Sequence, residues 1–436
     1  MNHIGRTIYD LVKHNPGLKF AIRNAYQRVF DLLPAPKPQS AYPIKVREGF
    51  FFGFHDHTPF SPDSEKLLAN RYHIPLHMPL PGETLQVGYF YGKDHERFIP
   101  VSETRAWNWH MGCKLQWRGS TGQLVFNDHL DGANIARMIH VESGKEIVLS
   151  DSIGSVSPDG HWAVGYSFAR VDACMPGYGY GYGYDIGDQE IDDPAPKHNG
   201  IHLIDLDSGE RRLLFSLADL ADMRPEPSMK GRRHFVTHTV ISPDSRRFIF
   251  LHRWTGDDTQ KRWSRLISCD INGKNMVVFP AVDMVSHIGW RNAHEVIAYC
   301  RLPDHGDHYV LFRDKQPNHF EVIGKGQLTS DGHPSFDPSG RWMVTDTYPD
   351  RRRVQRLVLY DYHGKRSYDI CRLHMPRKFQ SPSAHQHWSC DLHPRFDPSG
   401  RYICFDATYT GTRSLCTIDL GAALEDGTLK SLNEMP

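Results

Sequence analysis

Histidines recur at one fixed position in a repeated block of this sequence. The block is clearest near the C-terminus, in SCDLHPRFDPSGRYICFDA (389–407), where Cys390 and His393 form a Cys-x-x-His pair ahead of an Asp-Pro-Ser-Gly turn. Imidazole nitrogens and thiolate sulfurs are ligands that zinc accepts readily in proteins. The pattern therefore indicates a metal-binding site, and proton transfer by histidine is the other chemistry that it could serve.

Seven copies of the block can be aligned on the residue that opens the turn. These residues are Ser61, Arg118, Ser157, Ser242, Arg291, Asp337 and Asp397. Four positions before them lie His57, Lys114, Ile153, His238, His287, His333 and His393. Histidine fills five of these seven positions, whereas random placement of 27 histidines among 436 residues would fill fewer than one.

The last three copies supply the predicted metal ligands. The ligands are His287, His333, His393 and Cys390. Consecutive units around an axis would bring these side chains into a tetrahedral set, which is typical of structural zinc, while a position left open to water would make the site catalytic. Asp391 and His387 are alternatives to Cys390. In a competing interpretation, each histidine only forms a hydrogen bond within its own unit, as in WD-type repeats.

The segments between the blocks predict the fold. Short alternating runs separated by polar turns, such as IHLIDLDSGERRLLF (201–215), are typical of β-hairpins. A four-stranded unit takes roughly 40–45 residues, so seven units with loop insertions account for nearly all of the chain after Tyr42. We predict an all-β, seven-bladed β-propeller over residues 42–436, in which a strand near 42–46 completes the last blade and closes the ring. The histidine position would then line the central channel.

Residues 1–41 lie outside the repeat. Apolar residues at helical spacing over 4–33, interrupted near 15–17, predict an N-terminal amphipathic helical extension. A Pro-rich linker follows over 33–43. The extension could dock on the propeller itself, on a partner or on a membrane surface.

Composition limits the classes of partner and compartment. The formal net charge is zero, which gives no indication of nucleic acid or of an acidic membrane surface as a partner. The first residues lack the features of a signal peptide, and no stretch approaches the ~20 apolar residues of a membrane span. The eight scattered cysteines contain no Cys-x-x-Cys pair, so we expect a cytoplasmic protein with free thiols. A Gly-x-Ser-x-Gly elbow and phosphate-binding glycine loops are also absent.

A long insertion in the third unit, FARVDACMPGYGYGYGYDIGDQEIDDPAPKHNG (168–200), alternates glycine with tyrosine over 177–184. Low-complexity disorder is one interpretation, and a loop whose tyrosines stack on sugar faces or supply a phenol is the other. Further polar candidates are His110, His129, Arg137, Arg170 and Arg253. Together at one mouth of a propeller they would suit an anionic sugar, because arginine pairs bidentately with carboxylates and histidine transfers protons near neutral pH. Each arginine alone could equally be an exposed surface charge.

The repeated SPDG and DPSG turns, the histidine position and the ending HPRFDPSGRYICFDA resemble the oligogalacturonate lyases, which are seven-bladed propeller polysaccharide lyases. The stretch YSFARVDACMPGYGYGYG and the Cys-x-x-His pair are similar to those of the ulvan lyases. The resemblance spans roughly residues 50–420. It implies β-elimination at a 4-linked uronate of an anionic oligosaccharide or polysaccharide.

The resemblance also implies roles for particular residues. His129 with Tyr178 or Tyr180 would supply the acid and base, and Arg170 and Arg253 would hold the substrate carboxylate. Two alternatives remain open: a non-catalytic propeller that binds a glycan or a protein, and another sugar-active enzyme of polysaccharide assembly.

In the oligogalacturonate branch, the resemblance implies that a channel histidine is the base, beside a metal held by histidine and glutamine. His238 is the candidate for this base. The glutamine has no clear match, whereas Cys390 is available, so we expect a structural zinc, with manganese or calcium as alternatives.

Overall fold

Seven β-sheets form the body of the protein in a computed structural model, which describes residues 27–28, 30–180, 190–383 and 386–435. Six sheets have four antiparallel strands and one has five. The first strands of blades two to seven contact one another in succession, which arranges the blades around a common axis. The predicted all-β, seven-bladed propeller is thereby confirmed.

The first four blades are continuous in sequence, and the strands of each follow one another from the axis outward. Blade one comprises Phe50–Phe51, Leu67–Arg71, Leu85–Tyr91 and Arg97–Thr104. Blade two comprises Gln116–Trp117, Gln123–Leu130, Ala133–His140 and Glu146–Leu149. Blade three comprises Ser155–Val156, Trp162–Gly165, Gly200–Asp205 and Arg211–Ser216. Blade four comprises Arg233–Ile241, Arg247–Thr255, Arg262–Asp270 and Val277–Val278.

Blade five is also continuous in sequence, whereas blades six and seven each include a strand from the N-terminal part of the chain. Blade five comprises Val285–Asn292, Glu295–Leu302, Gly306–Arg313 and Gln316–Ile323. Blade six comprises Ser335–Phe336, Trp342–Asp346, Val354–Asp361, Arg366–His374 and Gln39–Ser40. Blade seven comprises Arg395–Phe396, Tyr402–Ala407, Ser414–Asp419 and Lys45–Glu48.

Short helices connect some of these strands. The α-helices within the described ranges and longer than a single turn are Phe168–Cys174, Leu217–Asp222 and Gly421–Glu425. The 3-10 helices are Lys93–His95, Pro227–Met229 and Arg377–Phe379.

The ring closes as the sequence predicts. Lys45–Glu48 pairs antiparallel with Ser414–Asp419, and Lys45 lies opposite Thr417. This pairing joins the start of the propeller to its end and covers the outer edge of blade seven. Gln39–Ser40 pairs with the outermost hairpin strand of blade six, so the sheet structure begins slightly before Tyr42.

The Asp-Pro-Ser-Gly turn of blade seven is held by its aspartate. Asp397 is buried, and its Oδ1 accepts a hydrogen bond from the backbone N–H of Tyr402 at 2.7 Å. Its Oδ2 accepts from the backbone N–H of Ser399 at 3.1 Å and from the hydroxyl of Ser64 in blade one at 2.6 Å. Gly400 has a φ of 76°, a conformation that glycine adopts without steric cost. The turn therefore connects two strands and links neighbouring blades.

We expect Asp397→Ala to lower the free energy of unfolding by about 1–3 kcal/mol, because the buried backbone donors lose their acceptor. Urea denaturation followed by circular dichroism measures this. Ser64→Ala, which removes only the bond between blades, should cost less. Unchanged denaturation of the Asp397 variant would show that the turn does not depend on this carboxylate.

Most of the predicted N-terminal helical segment, 4–33, lies outside the described residues. Gln27, Arg28 and Phe30 are helical, and Asp31 forms an ion pair with Arg353 of blade six. No helix within the described ranges has the length and apolar character needed to cross a membrane. All eight cysteines lie in the described ranges, where they are buried and form no disulfide.

Candidate functional site

Four of the predicted channel histidines form one cluster at the axis. Phe54 lies among them, with its ring centroid 4.5 Å from that of His238 and 5.0 Å from that of His393. The ring of His333 lies 4.3 Å from His393 and 4.0 Å from His287, again between centroids. The structure therefore brings together histidines from blades four, five, six and seven.

The fifth channel histidine, His57, points to a different group. Its Nδ1 lies 2.7 Å from the carboxylate of Asp56, which also pairs with the ammonium group of Lys114 at 2.5 Å. His55 joins the cluster instead, with its ring centroid 5.2 Å from that of His333. In the sequence, only the alternating FHDH stretch (54–57) indicates a second histidine near this position.

Backbone conformation explains part of the histidine recurrence. His238, His393 and Lys114, which share the repeated position, have φ values of 58°, 45° and 56°. Histidine is several-fold enriched in this left-handed region compared with most other residues. At His238 and His393 the backbone therefore favours histidine independently of any ligand, and the side-chain contacts have to identify which histidines could bind one.

A compact group of possible metal ligands comprises His110, Asp391 and His393. One ligand atom from each lies within 4.8 Å of the others, and all three residues are buried. No described residue forms a hydrogen bond with either ring nitrogen of His110 or His393. Burial lowers the pKa of both histidines well below its ordinary value, which keeps their rings uncharged. Buried polar atoms usually have a hydrogen-bond partner or bind a ligand, so these four nitrogens are candidate ligand atoms for a metal ion.

Two imidazoles and a carboxylate are a ligand set that zinc, manganese and iron all accept. A neighbouring carboxylate contacts the backbone of one of these residues. Asp346 accepts a hydrogen bond from the backbone N–H of His393 at 3.1 Å and contacts Nδ1 of His333 at 2.8 Å. Carboxylates in this second layer commonly orient histidine ligands. The residues present therefore fit a divalent cation.

Burial and neighbouring charges shift the pKa values of carboxyl and imidazole groups in this cluster. Burial raises the pKa of Asp391 to about 6, although His333 opposes the shift. Burial also lowers the pKa of His333, but the Asp346 carboxylate more than compensates, so that the pKa of His333 lies above its ordinary value. His287 contacts a further carboxylate, that of Asp331, at 3.0 Å.

Cys390 is not a member of this group of three. Its backbone carbonyl accepts a hydrogen bond from the side chain of Gln355 at 2.8 Å, and its thiol lies in the protein interior. Burial raises the pKa of this thiol to about 12. Of the two predicted alternatives to Cys390, Asp391 lies beside His393.

The tyrosine-rich insertion contributes one residue to the site and another to the core. Tyr178 is half-buried and stacks on His110, with ring centroids 4.6 Å apart and ring planes 12° apart. His387 lies against the same ring of His110 at 4.2 Å. Tyr180 instead stacks on Phe168 at 4.6 Å within the apolar core of blade three. Alternate tyrosines therefore have different environments, while residues 181–189 lie outside the described ranges.

The two predicted carboxylate-binding arginines lie in different places. Arg253 is buried in blade four, where its Nε donates to the hydroxyl of Thr237 at 3.1 Å. Burial lowers its pKa to about 10, with Arg262 contributing, so Arg253 remains cationic at neutral pH. Arg170 donates to the backbone carbonyls of Glu190 and Asp193 at 2.5 and 3.0 Å. Arg170, Glu190 and Asp193 all lie within the insertion, so these contacts link its first part to its last part.

His129 lies away from the histidine cluster. It is half-buried near the end of strand Gln123–Leu130, and its ring centroid lies 6.4 Å from that of Tyr180. His238 is closer to the proposed centre, because its ring lies 6.5 Å from Tyr178, which stacks on His110. No described residue forms a hydrogen bond with Nδ1 of His238.

A cavity of about 220 Å³ reaches this group from the surface. Its lining residues include Gln27, Tyr178, Tyr348, Gln380, His387 and Asp391. Asp391 belongs to the metal-binding group, and Tyr178 stacks on His110. A ligand in the cavity would therefore lie next to Asp391 and Tyr178. The arrangement could bind an anion through a cation, present uncharged imidazoles as bases and offer a phenol as an acid.

The comparisons with known proteins indicate a shared fold. No family model and no curated protein matches this chain. Among solved structures, an oligogalacturonate lyase in complex with manganese has a TM-score of 0.58 and 12% identity, covering 89% of this chain and 98% of that chain. An oligogalacturonate lyase from Vibrio parahaemolyticus has a TM-score of 0.56 and 11% identity, covering 89% and 99%. At these identities the similarity establishes the propeller fold.

A less similar structure is the β-propeller domain of the Trilobed protease from Pyrococcus furiosus. It has a TM-score of 0.47 and 11% identity, covering 85% of this chain and 96% of that chain.

Proposed function

We propose that this protein is a divalent-metal-dependent lyase that cleaves uronate-containing oligosaccharides by β-elimination. The observation that carries the proposal is the buried group of His110, Asp391 and His393, in which the imidazole nitrogens have no hydrogen-bond partner among the described residues and Asp391 lines a surface cavity. The propeller fold shared with oligogalacturonate lyases, one of them in complex with manganese, supports the same assignment. The proposal does not specify zinc as the cation, because the group of three ligands contains no thiolate.

His238 is the proposed base. Burial and the nearby Arg253 lower its pKa well below the ordinary value, so the ring is uncharged at neutral pH. Arg253 keeps a positive charge that can pair with the uronate carboxylate. Tyr178 is the proposed acid, because burial raises its pKa and keeps the phenol protonated. Tyr178 links the proposed base to the metal-binding group, because its ring centroid lies 6.5 Å from that of His238 and 4.6 Å from that of His110.

The reaction balances with these groups. His238 takes the proton from C5 of the uronate, the C5–H electron pair forms the C4–C5 double bond, and the bond from C4 to the glycosidic oxygen breaks. Tyr178 gives its proton to that oxygen. A bound divalent cation would withdraw charge from the carboxylate and make the C5 proton more acidic. Arg253 has the same electrostatic effect from the protein side.

We expect ultraviolet absorbance from a 4,5-unsaturated product to grow when the manganese-loaded protein is given 4-linked uronate oligosaccharides. The matched control substrate is the same oligosaccharide with its carboxylates reduced to alcohols, which should not react. If the uronate oligosaccharides bind saturably but are not cleaved across a broad panel, the protein is a glycan-binding propeller and the lyase proposal is wrong.

A further inference from the structure

The described end of the N-terminal segment borders the cavity. Gln27 is one of the residues that line it. The side-chain amide of Gln27 donates to the backbone carbonyl of Asp350 at 3.3 Å and its oxygen accepts from the side chain of Gln380 at 2.9 Å. Asp350 lies in the loop between the second and third strands of blade six, and Gln380 lies after the blade's last hairpin strand. Gln27 therefore bridges two loops at the edge of the cavity.

An ion pair fixes this segment to blade six. The carboxylate of Asp31 accepts from Nε and Nη2 of Arg353 at 2.9 and 3.1 Å. Arg353 is only 2% exposed, and its Nη1 has no hydrogen-bond partner among the described residues. A buried guanidinium depends strongly on its one carboxylate partner. Asp31 is therefore the main anchor of the segment.

Two weaker contacts extend the same attachment. Arg352 donates to the backbone carbonyl of Pro34 at 2.9 Å, and the guanidinium of Arg351 lies 5.2 Å from the ring centroid of Phe30. Three consecutive arginines of one blade-six loop thus hold residues 30–34. This loop also carries Tyr348 and Pro349, which line the cavity.

We propose that Gln27, Arg28 and residues 30–34 form a wall that closes the cavity toward blade six and restricts the site to the ends of short uronate oligosaccharides. This inference rests on the proposed function. A cavity of about 220 Å³ is smaller than the roughly 300–1,000 Å³ of sites that enclose drug-sized ligands, so it holds one or two sugar residues. A polysaccharide that continues on both sides of the cleaved bond needs an open groove, and Gln27 blocks one side of it.

The wall can be tested without any enzyme activity. Ser389 lines the cavity and its hydroxyl forms no hydrogen bond with a described residue, so Ser389→Cys places a thiol there with little disturbance. All eight native cysteines are buried, which keeps the background of labelling low. In this background, Asp31→Ala should raise the rate of labelling by a bulky maleimide roughly tenfold, a size of effect typical of one group in a pocket. A small alkylthiosulfonate reagent should be affected much less.

Two further variants separate the wall from general destabilisation. Gln27→Ala removes the bridge and leaves the Asp31 anchor, and should also increase labelling by the bulky reagent. Lys37→Ala is the matched control, because Lys37 is exposed and forms no hydrogen bond or ion pair with a described residue. Equal labelling in all four proteins would overturn the wall.

The same variants alter substrate choice if both inferences hold. We expect the ratio of kcat/KM for long uronate chains to kcat/KM for disaccharides to rise roughly tenfold in Asp31→Ala and to stay constant in Lys37→Ala. An unchanged ratio with clear lyase activity overturns the wall and leaves the proposed function intact. Faster labelling in a protein that cleaves no uronate supports the wall and counts against the proposed function.

Discussion

Replacing His393 by asparagine should remove the tightly bound divalent metal and reduce lyase activity by at least about 100-fold. Loss of residues that only support a metal ligand already costs roughly 10–100-fold in affinity or activity, so loss of a ligand should cost at least as much. Asparagine is the appropriate replacement because it tolerates the left-handed backbone that His393 adopts, with a φ of 45°. Metal content after dialysis and the rate of unsaturated-product formation are measured on the same sample.

Cys390→Ser is the matched control for this prediction, because the two residues lie three positions apart and both are buried. The serine variant should keep both metal and activity, since Cys390 lies outside the group of His110, Asp391 and His393. If instead Cys390→Ser loses the metal and His393→Asn retains it, the thiol is a ligand and the assigned group is wrong.

Replacing His238 by asparagine should lower kcat by roughly 10²–10⁴-fold while leaving the metal content unchanged, because a positioned base contributes about this factor. His238 also has a left-handed backbone, with a φ of 58°, so asparagine again avoids strain. The pKa of His238 is lowered well below its ordinary value by burial and by Arg253, so the ring is uncharged at neutral pH. Steady-state kinetics on a uronate trisaccharide separate the effect on kcat from that on KM.

His129→Ala tests the alternative base in the same assay. His129 is only half-buried and its nearest described ring partner is Tyr180, which belongs to the core. We expect this variant to keep nearly full activity. A large loss of kcat in His129→Ala, with full activity in His238→Asn, would transfer the role of base to blade two.

Much of the fold could be predicted from sequence because each blade repeats the same local chemistry. The turns opened by Asp337 and Asp397 carry their own stabilising carboxylate, which makes them visible as motifs. Ring closure by Lys45–Glu48 could also be predicted, because the last blade lacked a strand. The attachment of the segment around Asp31 could not, since it depends on Arg353, a residue more than 300 positions away whose burial has no local signal.

The site was only partly visible in the sequence. The repeated position identified four histidines of the axial cluster, because equivalent residues of successive blades meet at the axis. The repeated position also includes His57, whose ring contacts Asp56 and not the cluster. It does not include His55 or His110, which the structure places in the cluster and in the metal-binding group. His110 lies before blade two, outside the repeated position, and only the three-dimensional path of that loop brings it to Asp391. Sequence spacing alone could not distinguish Asp391 from its neighbour Cys390.

The central claim is that His110, Asp391 and His393 bind one divalent cation. Pulsed electron paramagnetic resonance of chelator-treated protein reloaded with one equivalent of manganese tests this most directly, because it detects coupling between the ion and imidazole nitrogens. The wild-type protein should show coupling to two imidazole nitrogens, and His110→Ala and His393→Asn should each lose one of them or fail to retain the ion. Undiminished nitrogen coupling in both variants, or its absence from the wild type, would contradict the assignment of this metal centre.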